Sequence, residues 1–143
     1  MNSNEGRSRV LSELAKTLRR DPDVEFAVAF GSTVAGASRP SSDVDVAVKF
    51  DDDLSSHERF RKRCLLSGEL QREGRPFVDV SDIEALPVDV AYDAVRGELL
   101  CGDERAFRRA EAEIEATYQE RREEIRRHQR DVIERIAEDG LHG

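Results

Sequence analysis

A small mixed β-sheet flanked by helices and closed by one long C-terminal helix is the fold that this 143-residue sequence predicts, an α/β chain of the α+β kind. Three observations carry that expectation. Short segments rich in β-branched and aromatic residues, "VEFAVAF", "DVDVAVKF" and "FVDVSD", stand between helical patterns and turn residues. Val10, Leu11, Leu14 and Leu18 recur at helical spacing ahead of the first of them. From Asp103 to about Asp139 the pattern stays helical and contains no proline. The length suits one compact domain, expected to comprise a core over residues 1–102 and a helical extension over 103–143.

The first helix, over residues 7–20, stops at "DPD", because proline disfavours helical geometry in the residue before it. Residues 24–30 then form a buried strand, broken by Gly31, and "ASRPSS" at 37–42 has loop composition. Strict alternation over 43–50 sends Asp43, Asp45 and Ala47 to one face and Val44, Val46 and Val48 to the other. Ser55 or Ser56 caps a helix expected to run to about Glu73 with Phe60, Cys64 and Leu65 inward. Gly74, Arg75 and Pro76 end it before a third strand over 77–82, where Val78 and Val80 share a face and Asp79 lies on the other with Phe77. "LPVDVAYDAVRG" suggests a short helix ending at Gly97, with Val88, Ala91 and Val95 on one side, and "ELLCG" a brief strand or turn. On the final helix Phe107, Ile114, Tyr118, Ile125, Val132 and Ile136 make a thin stripe, close to a heptad seam. Such an arm either packs on the domain or pairs with itself or a partner.

Charge narrows the function classes. A net charge of −8 leaves no broad basic footprint, so direct nucleic-acid binding is not expected. Lysine occurs just at Lys16, Lys49 and Lys62, a pattern that a salt-loving cell or a GC-rich genome would favour. No run approaches the roughly 18 apolar residues of a membrane helix, and "MNSNEGRSRV" has no apolar core of a secretory leader, so a cytoplasmic location is expected. Cys64 and Cys101 are too few and too far apart for a zinc site and are expected to be small buried apolar residues.

"GSTVAGASRPSSDVDVAVKF", residues 31–50, carries the chemistry. Asp43 and Asp45 point the same way, their Cα atoms roughly 6 to 7 Å apart by strand rise. Two unpaired carboxylates that close repel each other and resist burial. A divalent cation removes both problems, and Mg²⁺ takes hard oxygen ligands together with substrate phosphates. Asp79 adds a third carboxylate from a neighbouring strand, and three such groups can hold two metal ions about 4 Å apart for in-line phosphoryl displacement. Gly31 lets backbone amides approach an anion closely, Ser32 can donate to a phosphate oxygen, and Arg39 can add a cation. By contrast "DDD" at 51–53 suits a solvated loop and helix start, and Asp82 is expected on the face opposite Asp79.

Gly-Ser, ten residues, then Asp-x-Asp resembles the signature of the minimal nucleotidyltransferases, relatives of DNA polymerase β, and "FVDVSDIEALPVDVAYDAVRGELL" is similar to that family's third-carboxylate strand and the segment after it. The resemblance runs from about residue 9 to residue 115. It implies a polymerase β-like nucleotidyltransferase fold. In that family the protein is best known as the antitoxin of HEPN/MNT toxin–antitoxin pairs, transferring AMP from ATP to a tyrosine of its HEPN RNase partner. Carried over by position, Gly31 and Ser32 would hold the triphosphate, Asp43 and Asp45 would bind both Mg²⁺ ions, and Asp79 would bind the catalytic ion and help deprotonate the attacking hydroxyl.

One position departs from the family. Many members read Gly-Ser-x-Ala-Arg-Gly where this chain has Gly-Ser-Thr-Val-Ala-Gly, so Ala35 replaces an arginine for which Arg39 could substitute. Two other functions stay open: an antitoxin that blocks the HEPN toxin by binding alone, and a transferase acting on another hydroxyl, such as an antibiotic or an RNA end. Arg122 and His128 share the spacing of HEPN RNase residues, a coincidence expected in a helix so rich in arginine.

Overall fold

The computed structural model describes residues 3–31 and 43–142. Helix α1 spans Ser3–Arg19, strand β1 Val24–Phe30 and β2 Val44–Phe50; helix α2 spans Ser56–Leu70 and strand β3 Val78–Asp82. A 3-10 turn, Ile83–Ala85, leads into α3, Val88–Val95; β4, Glu98–Gly102, and the long helix α4, Glu104–His142, complete the chain. The strands form one sheet in the order β3-β2-β1-β4. β1 is antiparallel to both neighbours, whereas β2 and β3 run parallel with α2 as their crossover.

Apart from Glu25 near its start, β1 is apolar because both of its faces are covered, and Phe26, Ala27, Val28 and Ala29 are all fully buried. On one face, Leu11, Leu14 and Leu18 of α1 and Leu66 and Leu70 of α2 pack against Val44, Val46, Val48, Val78 and Val80. On the other, Phe26, Val28 and Ala47 meet Ala91, Ala94 and Val95 of α3 and the first turns of α4. Phe107 sets its edge on Phe26, with ring centroids 5.5 Å apart. Cys101 is buried as expected, and "ELLCG" is a strand.

Gly97 shows why the turn from α3 into β4 is tight: a Cβ there would strike the Ala29 carbonyl oxygen, so just glycine lets β4 come in against β1. The preceding turn between α1 and β1 is also pinned. Asp21 and Asp23 receive Lys62 of α2 at 3.0 and 3.1 Å.

α2 starts where expected, with Ser55 as cap in a reciprocal capping box with Glu58. Its inward face differs from expectation. Phe60 and Leu65 are 56% and 63% exposed and Cys64 is also exposed, while Leu66 and Leu70 are the buried pair. Arginine accounts for the rotation. Arg59 Nε donates to Asp82 Oδ2 at 2.9 Å, and Arg63 reaches the Val80 carbonyl at 3.5 Å, so the sheet side of α2 is taken by arginine stems as well as leucines. The helix also ends at Leu70, short of the expected Glu73. There the Gln71 amide donates to the Ser67 and Val78 carbonyls at 2.7 and 2.8 Å and accepts from the Val78 N–H at 3.1 Å, which ties the helix end to β3.

The final helix is packed just at its start. Ala106 and Phe107 are buried, Ile114 and Tyr118 half-buried, and every residue from Gln119 to Gly140 is exposed. Among the described residues no helix is long and apolar enough to cross a membrane.

The rotated face of α2 is directly testable. Leu66→Ala should cost about 2–5 kcal/mol in urea denaturation, as truncation of a fully buried leucine does. Leu65→Ala, one position along, should stay within about 0.5 kcal/mol.

Candidate nucleotidyltransferase site

Strand pairing brings the carboxylates to one end of the sheet. β2 lies between its two partners so that Asp45 is opposite Phe30 of β1 and in parallel register with Asp79 of β3. Asp43 sits just before β2, on the same side as Asp45 by strand alternation. Asp43 and Asp79 are exposed and Asp45 is half-buried. The chain turns away from β1 at Gly31 with φ +87°, the left-handed region that favours glycine. Space gives a second reason for glycine: a Cβ at 31 would come within 2.5 Å of Asp45 Oδ2.

The electrostatics of this corner are unbalanced. Burial pushes the Asp45 carboxyl above its ordinary range, and the charges of Asp79 and Asp43 push it further the same way. Among the described residues no cation or hydrogen-bond donor to Asp45 offsets this. Lys49, further along the same face of β2, is already held by Glu25, Asp52 and Glu84 at 3.4, 2.8 and 3.2 Å. Asp82 takes no part. It is 7% exposed, is paired with Arg59, and accepts the Glu84 N–H at 3.0 Å to cap the 3-10 turn. Asp51 and Asp52 are exposed, Asp52 being the ion-pair partner of Lys49.

Ser32, Ala35 and Arg39 lie outside the described residues. The feature that sequence did not reveal is the close packing of Gly31 on Asp45; a glycine at the end of a strand was its one signal. A Mg²⁺ ion fits the chemistry of the donor set, which consists of hard carboxylate oxygens. Among the described residues no three His, Cys, Asp or Glu side chains converge enough to cage an ion on their own. An open carboxylate corner of this kind suits Mg²⁺, which is usually completed by water and substrate phosphates.

Residues 12–106 match the family model described as polymerase beta, nucleotidyltransferase. The chain belongs to the polymerase β nucleotidyltransferase family. Among curated protein sequences none matches significantly. Solved structures do. One is a crystal structure of a toxin–antitoxin with AMP-PNP, 22% identical, with a TM-score of 0.62 over 93% of this chain and 99% of that one. Another is a tri-AMPylated Shewanella oneidensis HEPN toxin in complex with MNT antitoxin, 20% identical, with a TM-score of 0.58 over 92% and 99% of the two chains. A third, also from Shewanella oneidensis, is 17% identical with a TM-score of 0.63, covering 87% and 98%. At these identities the likeness is one of fold, and it is the nucleotidyltransferase fold.

The raised Asp45 carboxyl fixes the sign of a pH effect. Its folded-state value lies above the unfolded one, so the native state is favoured while the group is protonated and loses stability as pH rises through the folded value. Asp45→Asn removes the charge. In metal-free buffer at pH 7 the variant should therefore melt at a higher temperature than wild type. The gain should fade as pH falls to about 4, where the unfolded carboxyl also protonates. Thermal melts across that range check it.

Proposed function

We propose that this chain is a Mg²⁺-dependent nucleotidyltransferase that moves AMP from ATP to a tyrosine hydroxyl of a HEPN-domain toxin, and so serves as the antitoxin. The observation that carries the proposal is the raised carboxyl of Asp45, half-buried and in register with Asp79 at the turn of Gly31. Family membership supports the reaction class. The fold likeness to a toxin–antitoxin structure with AMP-PNP and to a complex of MNT antitoxin with tri-AMPylated HEPN toxin supports the nucleotide, the acceptor class and the partner.

In this proposal Asp43 and Asp45 hold the metal ions and Asp79 shares the catalytic one. When bound there, Mg²⁺ supplies positive charge against the α-phosphate and the departing pyrophosphate. Asp79, exposed at the mouth of the corner, takes the proton of the attacking tyrosine hydroxyl. The new bond joins the tyrosine oxygen to the α-phosphorus, and the bond from that phosphorus to the bridging oxygen of pyrophosphate breaks. Gly31 and Ser32 receive the triphosphate through their backbone amides and the Ser32 hydroxyl. Arg39 supplies the cation that Ala35 lacks.

Incubating the chain with ATP, Mg²⁺ and a HEPN protein encoded beside it should raise the HEPN mass in AMP steps. Asp43→Asn with Asp45→Asn should reduce that transfer by at least about 10³-fold, a loss in line with removing preorganised charge stabilisation, while the variant stays folded. An unchanged HEPN mass with the toxin still silenced would replace transfer by occlusion.

ATP with Mg²⁺ should also raise the melting temperature of wild type, because a ligand bound to the native state stabilises it. The paired asparagine variant should show no such rise.

A further inference from the structure

We propose that two copies of this chain pair antiparallel through the free part of α4, each laying its acidic end along the arginine-lined groove of the other. The exposed run from Gln119 to Gly140 amounts to about 33 Å of helix at 1.5 Å per residue. In proteins most helical stability comes from packing an apolar face. This helix has such a face. Ile114 packs on the body and Tyr118 stacks on Tyr92, with ring centroids 3.9 Å apart. Ile125, Val132 and Ile136 continue the same face within about 40° at 3.6 residues per turn, and Ile133 lies beside them. They are 51%, 37%, 66% and, for Ile133, 65% exposed. The face that the body covers thus runs on uncovered.

Charge selects the occupant. Residues 121–130 hold five arginines against two glutamates, a net of +3, and residues 131–139 hold four acidic residues against one arginine, a net of −3. A parallel pair would set like against like. An antiparallel pair centred between Arg130 and Asp131 sets each half against its opposite. In that register Ile125 lies level with Ile136 of the second copy, and the basic half of each helix runs alongside the acidic half of the other. Each contact occurs twice by the two-fold axis.

The groove beside the stripe has the matching sign. It encloses about 620 Å³ and is lined by Arg121, Arg122 and Arg126 of α4 and by Val88 and Asp89 at the start of α3. The N-terminus of α3 has no side-chain cap, so its backbone amides add positive partial charge toward an incoming acidic helix end. The pairing uses none of the carboxylates of the nucleotide site and stands or falls apart from it.

Analytical ultracentrifugation of the chain alone at about 100 μM, a concentration that also detects weak pairing, should give twice the chain mass. Ile125→Glu with Ile136→Glu should weaken self-association by about tenfold or more, with circular dichroism showing that the core stays folded. Orientation is read by mixing Ile125→Cys and Ile136→Cys chains, each in a Cys64→Ser background, under mild air oxidation. The mixed 125–136 disulfide should dominate. Dominance of 125–125 and 136–136 products would overturn the antiparallel arrangement. A monomeric chain would overturn the pairing, including one that associates just with a HEPN protein.

Discussion

The register of β2 between its two neighbours is the constraint on which the rest of the structure depends. One residue of slip would send Val44, Val46 and Val48 out of the core and turn Asp45 into it. The apolar alternation therefore holds the carboxylates in place. Core packing on the α1 and α2 side forces Asp43 and Asp45 to the opposite side, and parallel pairing with β3 brings Asp79 level with Asp45. The burial of Asp45 and its repulsion by Asp79 and Asp43 are a cost that the fold bears. A folded chain keeps such a cost where function needs it.

The crossover that makes β3 parallel to β2 has its own supports. Arg59 reaches Asp82 across 23 residues, Gln71 binds both the end of α2 and the start of β3, and Lys62 anchors α2 to the aspartates after α1. These polar ties orient α2 as much as its leucines do. They also explain why Asp82, three residues from Asp79, belongs to a different part of the molecule. Strand alternation sends it to the other face, where burial is tolerable because a guanidinium meets it.

Strands were the legible part of this sequence. β1 announces itself through its β-branched and aromatic residues and β2 through its alternating valines, patterns whose meaning depends on local spacing alone. Asp79 was legible for the same reason, since Val78 and Val80 fix its side. The buried face of α2 was not. Phe60, Cys64, Leu65, Leu66 and Leu70 spread around much of the helix, and the choice among them is made by Arg59 and Arg63 with partners on β3. Such long-range polar contacts leave no periodic trace. Gly31 was legible as the residue that ends β1, but what glycine does there depends on the distance from residue 31 to Asp45 Oδ2, a tertiary quantity.

α4 poses the converse problem. Its helical pattern is plain in sequence, yet nothing local says what should cover it. A solvated helix needs no stripe, and one that packs on its own body needs no exposed isoleucine beyond the body's edge. Ile125, Val132, Ile133 and Ile136 meet neither description. The separation of charge along the helix goes further than solubility requires, since mixing the signs would keep it equally soluble and strengthen its i,i+4 pairs. Segregated halves weaken the isolated helix and strengthen an antiparallel pair, because they penalise the parallel alternative. α4, like β2, thus carries a pattern that is costly in isolation: an apolar stripe and segregated charge on an exposed helix.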